Sequence, residues 1–135
     1  MRYLIDTNVF VKMATGIISD ETRRIIEDYE NLIYISSQSI TEYLHLVQNG
    51  KILPSKELRL LDVFDIIENK LGFQVKYVAK EHLRTFAKLH LVEGHNDPND
   101  RLIIAQALTE KMPLISSDKK FPKYRRVGLE LICSG

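Results

Sequence analysis

Four acidic residues, Asp6, Glu42, Asp100 and Asp118, are the chain's leading candidates for chemistry. Asp6 follows Tyr3-Leu4-Ile5, a short, continuously apolar, β-favouring run suited to a strand buried on both faces. Asp6-Thr7-Asn8 breaks that run with three small polar residues that favour caps and turns. A carboxylate at the end of a buried strand is expensive to leave unpaired. In open α/β sheets, however, ligands occupy the crevice outside the carboxyl ends of the strands. Asp118 ends a second such run, Pro113–Ser116, after Ser117. Glu42 falls in the first turn or so of a helix following the second strand, and helices after parallel strands begin at that same edge. Asp100 falls in the first turn of the helix before the fourth strand, and joins the others if the long loop preceding it returns to that edge.

Three or four carboxylates in one crevice repel each other, and burial raises their pKa values. A bound cation removes that penalty. Oxygen donors without cysteine or paired histidines select a hard ion, Mg2+ or Mn2+ rather than Zn2+. One or two such ions activate water and stabilise the leaving oxygen in phosphodiester cleavage. Each acid alone also has a structural explanation. Asp97 reads as a plain N-cap, Asp100 as a partner of the helix dipole, Glu42 as a solvated helix residue and Asp118 as turn chemistry. Their shared placement points to function, and Asp6 is the hardest to explain structurally.

Alternating strands and helices must bring these acids together. The pattern predicts strands over residues 3–5, 32–35, 73–78, 113–116 and 127–132. Between them it predicts helices over Val9–Ala14, Asp20–Tyr29, a segment opening at Ser37 or Ser39 and stopped by Asn49-Gly50, Pro54–Leu71, Lys80–Leu91 and one beginning at Asp97-Pro98-Asn99-Asp100. Leu58, Leu61, Phe64, Ile67 and Leu71 set the stripe of the Pro54 helix, and Leu60 and Val63 widen it beyond what one core face needs. Leu83, Phe86, Ala87 and His90 form the expected inner face of the Lys80 helix. The 73–78 strand alternates, as an edge strand does. The architecture implied is a parallel, doubly wound α/β sheet.

The chain has 135 residues, 44% of them apolar and 27% charged, which predicts one soluble domain over residues 1–135. No apolar run is long enough for a membrane span or a secretory segment. The single cysteine, Cys133, cannot form an internal disulfide, in keeping with a cytoplasmic setting. A net charge of +1 excludes a global field for nucleic acid, so any such binding must come from local patches. One patch is evident: Lys119, Lys120, Lys123, Arg125 and Arg126, interleaved with Phe121 and Tyr124, directly follow Asp118. It can hold RNA phosphates and stack an unpaired base, or simply be a solvated loop. Lys12 and Arg101 are lesser candidates for substrate contact.

At these residues the chain resembles a PIN-domain ribonuclease of the VapC toxin type. The resemblance spans nearly the whole length and rests on four blocks in order. These are the opening strand with Asp6-Thr7-Asn8, Ser36-Ser37 leading through Ile40-Thr41 to Glu42, His95-Asn96-Asp97-Pro98-Asn99-Asp100-Arg101 continuing into Ile104-Ala105-Gln106-Ala107, and Ser116-Ser117-Asp118. It implies a three-layer α/β/α fold around a mainly parallel sheet of about five strands. It makes Asp6, Glu42 and Asp100 the core metal-binding acids and Asp118 a more variable fourth. Thr7, Asn8 and Ser117 fall where small polar groups hydrogen-bond those acids or bound water. Asp97 belongs to the turn, and Asn99 stands where the family commonly has an apolar or aromatic residue. His95 is expected to cap or pack around that turn. The resemblance further implies a homodimeric, Mg2+- or Mn2+-dependent endoribonuclease held inactive by a cognate VapB-like antitoxin. The alternative is a catalytically silent PIN fold or an Mg2+-binding regulatory or scaffold module. A receiver-like module is disfavoured because Thr7, not a second acid, follows Asp6.

Overall fold

Tyr3, Leu4 and Ile5 are all buried on β1 (Arg2–Ile5), the strand on which the sheet is centred. The computed structural model describes residues 1–13, 16–53, 62–92 and 94–134. Five parallel strands lie in the order β3-β2-β1-β4-β5, with β2 Leu32–Ser36, β3 Gln74–Lys76, β4 Leu114–Ser116 and β5 Leu131–Cys133. The order reverses at β1, so the switch point, where ligands bind in such sheets, lies between β1 and β4. Ile5 pairs with both Ile35 and Ile115, which puts Asp6 level with Ser36 on one side and Ser116 on the other.

Side chains alternate across the strands, and the two sets build two cores. Tyr3, Ile5, Ile33, Ile35 and Ile115 face one layer, formed with α1 (Thr7–Met13), α2 (Asp20–Glu27) and α3 (Ser37–Gln48). Leu4, Tyr34 and Leu114 face the other, where Ile103, Ile104 and Ala107 of α5 (Pro98–Glu110) cover them. Helix α4 (Lys80–Lys88) packs on the outside of α5. The result is the expected three-layer α/β/α arrangement, with every strand pair parallel. Among the described residues no helix is long and apolar enough to cross a membrane.

Local chemistry sets the boundaries. Ser19 caps α2 by accepting from Thr22 N, and Ser36, not Ser37 or Ser39, caps α3 by accepting from Gln38 N. Much of the expected Pro54–Leu71 helix, with Leu58, Leu60 and Leu61, lies outside the described residues. Its last part, Asp65–Lys70, is π-helical, with Leu71 N bonding to Ile66 O five residues back. The wider turn moves the buried face to Val63 and Ile67, leaving Phe64 and Leu71 exposed.

The inner face of α4 differs from the apolar stripe expected. Leu83 and Ala87 are exposed, and the helix meets α5 through polar groups: Thr109 Oγ1 to Thr85 Oγ1 at 2.6 Å, and His82 Nε2 to Glu110 Oε2 at 2.8 Å. The last strand starts at Leu131 because Phe121–Val127, expected as loop and strand, forms a 3-10 helix. Phe121 and Tyr124 on that helix are fully buried and hence unavailable for stacking on a base.

Candidate metal centre

Asp6 is the N-cap of α1: Oδ1 accepts from Val9 N at 2.8 Å, and its carbonyl accepts from Phe10 N at 3.2 Å. Its Oδ2 accepts from Ser116 Oγ at 2.5 Å, a bond set up by the β1–β4 register. The hydroxyl that reaches the first acid belongs to Ser116, the residue before Ser117 and one that the sequence did not single out for this contact. No local signal marks it, because Ser116 is selected by ending level with Asp6 in the β1–β4 register.

The acids of α5 come from a strongly specified turn. Asp97 caps the helix, accepting from Asn99 N at 2.9 Å, Pro98 fills the first position, and Asp100 enters the crevice from the first turn. Asn99 makes a polar contact instead of offering an apolar side chain. Its Oδ1 accepts from Gln38 Nε2 at 2.7 Å and so ties the start of α5 to the start of α3, the helix carrying Glu42.

Asp6, Thr7, Asn8, Glu42, Asp97 and Asp100 line one crevice of about 190 Å3 at the carboxyl edge of the sheet. Carboxylate oxygens of Glu42, Asp97 and Asp100 lie within 4.8 Å of one another. Asp100 belongs to a second cluster as well, with His95 and Asp118, again within 4.8 Å. Asp118 holds its loop by accepting from Lys120 N at 2.8 Å, while its own N–H donates to Ser116 Oγ at 3.0 Å.

The electrostatics of this arrangement are strained. Burial pushes the Asp6 carboxyl up to about 6 against the pull of Ser116 and Val9, and the charges of Asp100 and Asp118 add to the rise. Burial also lifts Asp100 to about 6, reinforced by Asp97, Glu42 and Asp118 and opposed by His95. Glu42 Oε1 and Thr7 Oγ1 are buried and find no hydrogen-bond partner among the described residues. Converging carboxylates, excess negative charge and unsatisfied buried oxygens fit a hard divalent cation.

The remaining sequence candidates separate. Lys119 and Lys120 are exposed beside Asp118, and half-buried Lys12 lies one turn beyond Asn8 on α1. Arg101 points elsewhere, a correction to its reading as a substrate contact. It is buried, donates from Nη2 to Leu89 O at 2.7 Å, and stacks 5.1 Å over the Phe86 ring. The position after Asp100 on a helix turns its side chain away from the crevice. Sequence reasoning placed His95 at the turn but missed its partners: Nδ1 lies 2.6 Å from Tyr124 Oη and Nε2 lies 3.4 Å from Asp100 Oδ2.

Comparisons with known proteins agree with this fold. Among solved structures, VapBC2 from Rickettsia felis bound to a promoter DNA fragment is similar at a TM-score of 0.68 and 19% identity, with 98% of each chain covered. VapBC-5 from Mycobacterium tuberculosis is similar at 0.63 and 20%, covering 98% of this chain and 96% of that one. A toxin–antitoxin complex from Klebsiella pneumoniae is similar at 0.65 and 18%, covering 96% and 95%. No curated protein matches the chain. The family model described as PIN domain matches residues 3–127, which with the parallel sheet and its acidic crevice means that the chain belongs to the PIN-domain family.

Proposed function

We propose that this protein is a VapC-type endoribonuclease that hydrolyses phosphodiester bonds in single-stranded or looped RNA, with Mg2+ or Mn2+ as cofactor. The observation that carries the reading is the meeting of Asp6, Glu42 and Asp100 in one crevice, where two of these acids are held near 6 by burial and mutual repulsion. When bound, a hard divalent ion supplies the Lewis acidity that phosphodiester hydrolysis needs. Asp100, Glu42 and Asp118 would hold it, with Asp6 completing the charge from the end of β1. Thr7 and Asn8 offer polar groups along the wall. Lys119 and Lys120 lie where RNA phosphates would approach, and Lys12 where a flanking nucleotide would pass.

The likeness to chains described as VapBC and toxin–antitoxin complexes supports a cognate VapB-like antitoxin as partner. A homodimer, which the sequence resemblance implies, is part of the same proposal and is checked by light scattering. Purified protein incubated with RNA should cleave it with Mn2+ and not with EDTA. Asp6→Asn keeps a good N-cap and an amide that can pair with Ser116 Oγ while removing the charge, so it should fold normally and lose cleavage. Cleavage by Asp6→Asn equal to the parent's would exclude the mechanism.

A further inference from the structure

Behind the crevice, a line of polar side chains runs from Asp100 into the core and has a direction. His95 is 4% exposed, wedged against Phe121 and Tyr124 with ring centroids 5.6 and 5.3 Å away. Its two ring nitrogens face two different partners, Nδ1 the Tyr124 hydroxyl at 2.6 Å and Nε2 the Asp100 carboxylate at 3.4 Å. An ionised Asp100 can only accept, so a hydrogen bond to it needs a proton on His95 Nε2. The other nitrogen of the neutral ring, Nδ1, is then an acceptor, and the Tyr124 hydroxyl donates to it.

We infer that His95 is a positioning residue for the metal-binding acid Asp100, with its Nε2–H tautomer locked by Tyr124. His95 and Asp100, together with Asp118, lie close enough to be taken for a mixed nitrogen and oxygen metal site. The donor order argues against that, because the nitrogen facing the acids carries a proton and has no lone pair to offer. His95 instead holds one Asp100 oxygen and leaves the other for the cation. Partners of this kind, behind a ligand, typically alter metal affinity about 10- to 100-fold when removed. Tyr124 lies on the 3-10 helix that follows Lys119 and Lys120, so the strut also joins that basic segment to the acid cluster.

The affinity consequence rests on the acid cluster being the metal centre proposed above; the tautomer rests on geometry alone. Two measurements separate them. In the metal-free, 15N-labelled protein at neutral pH, long-range imidazole NMR correlations, assigned by their loss in His95→Gln, should show His95 protonated at Nε2. Protonation at Nδ1 overturns the inference whether or not the protein cleaves RNA. Mn2+ affinity, followed by electron paramagnetic resonance, should fall about 10-fold in His95→Asn and Tyr124→Phe. His95→Gln, whose amide nitrogen reaches the place of Nε2, should recover to within about 3-fold of the parent. Unchanged affinity in His95→Asn and Tyr124→Phe, or no difference between the Gln and Asn variants, would reduce His95 to a packing residue. A parent that binds Mn2+ with this pattern but leaves RNA intact would uphold His95's role and refute the nuclease reading.

Discussion

Ser116 Oγ donates to Asp6 Oδ2 at 2.5 Å across the point where the strand order reverses. Two strands distant in sequence thereby fix one carboxylate at the mouth of the crevice. Even with that bond and the one from Val9, burial holds Asp6 near 6, as it does Asp100. Both acids have an ordinary value of 3.8, so between about pH 4 and pH 6 the folded chain binds more protons than the unfolded one. Stability of the metal-free protein therefore falls as pH rises through that window, for Asp6 by up to about 3 kcal/mol at about 1.4 kcal/mol per pKa unit. Urea unfolding in EDTA should give lower stability at pH 7.5 than at pH 5, and Asp6→Asn should flatten the slope. Saturating Mn2+ should stabilise the protein more at pH 7.5 than at pH 5, because the ion binds the deprotonated acids.

Gln38 and Asn99 form the only side-chain hydrogen bond among those described that joins α3 to α5, and the two helices carry Glu42 and Asp100. Replacing Asn99 by Ala removes the acceptor and leaves Gln38 part-buried without it. The expected stability loss is about 1 kcal/mol, with Mn2+ affinity reduced about 5-fold as the two acids lose their common brace. Isothermal titration beside a thermal melt checks both. A melt that drops while Mn2+ affinity stays at the parent's value would confine Asn99 to structure.

Arg101 and the lysine pair should separate cleanly. Arg101→Ala removes a buried donor to Leu89 O and a cation over Phe86, so it should destabilise the fold by about 2–4 kcal/mol. Lys119→Ala with Lys120→Ala touches exposed side chains only and should leave the melt within about 0.5 kcal/mol of the parent. The double variant should bind RNA more weakly, and the slope of log affinity against log salt should become shallower by up to about 2. An unaltered salt slope would remove both lysines from the RNA path.

What sequence made legible was whatever one local signal specifies. The Asp97-Pro98 start of α5, the buried β1 run and the alternating edge strand β3 each follow from neighbours in sequence, and the first two deliver Asp100 and Asp6 to the crevice that Glu42 of α3 also lines. Features set by contacts between remote segments were not legible. The choice of Ser116 over Ser117 depends on register with β1, and the pairing of His95 with Tyr124 on an unforeseen 3-10 helix. The face of α4 was misread because apolar periodicity assumes that inner means greasy, whereas His82 and Thr85 make the contact with α5 through hydrogen bonds. The π-helical turn at Asp65–Lys70 likewise departs from the spacing on which any helical stripe is counted.

His82 provides the comparison that isolates the local action of His95. It too is buried and presents Nε2 to a carboxylate, Glu110 Oε2 at 2.8 Å, while Nδ1 accepts from Ala79 N at 2.9 Å and so closes the start of α4. The bond from His82 leads the causes that hold the Glu110 carboxyl below its ordinary 4.5, with Lys76 assisting. Glu110 thus contributes stability that is fully present above about pH 4.5 and lost as pH falls through its depressed value. None of these groups lines the acidic crevice. His82→Ala should therefore cost about 2–4 kcal/mol of stability, by opening the α4 cap and leaving a cavity, and should steepen no dependence on metal. At a temperature where both proteins are folded, its Mn2+ affinity should equal the parent's within about 2-fold, the reverse of the His95→Asn pattern. Equal losses of Mn2+ affinity in His82→Ala and His95→Asn would mean that general loosening, not the bond to Asp100, sets the strength of the metal centre.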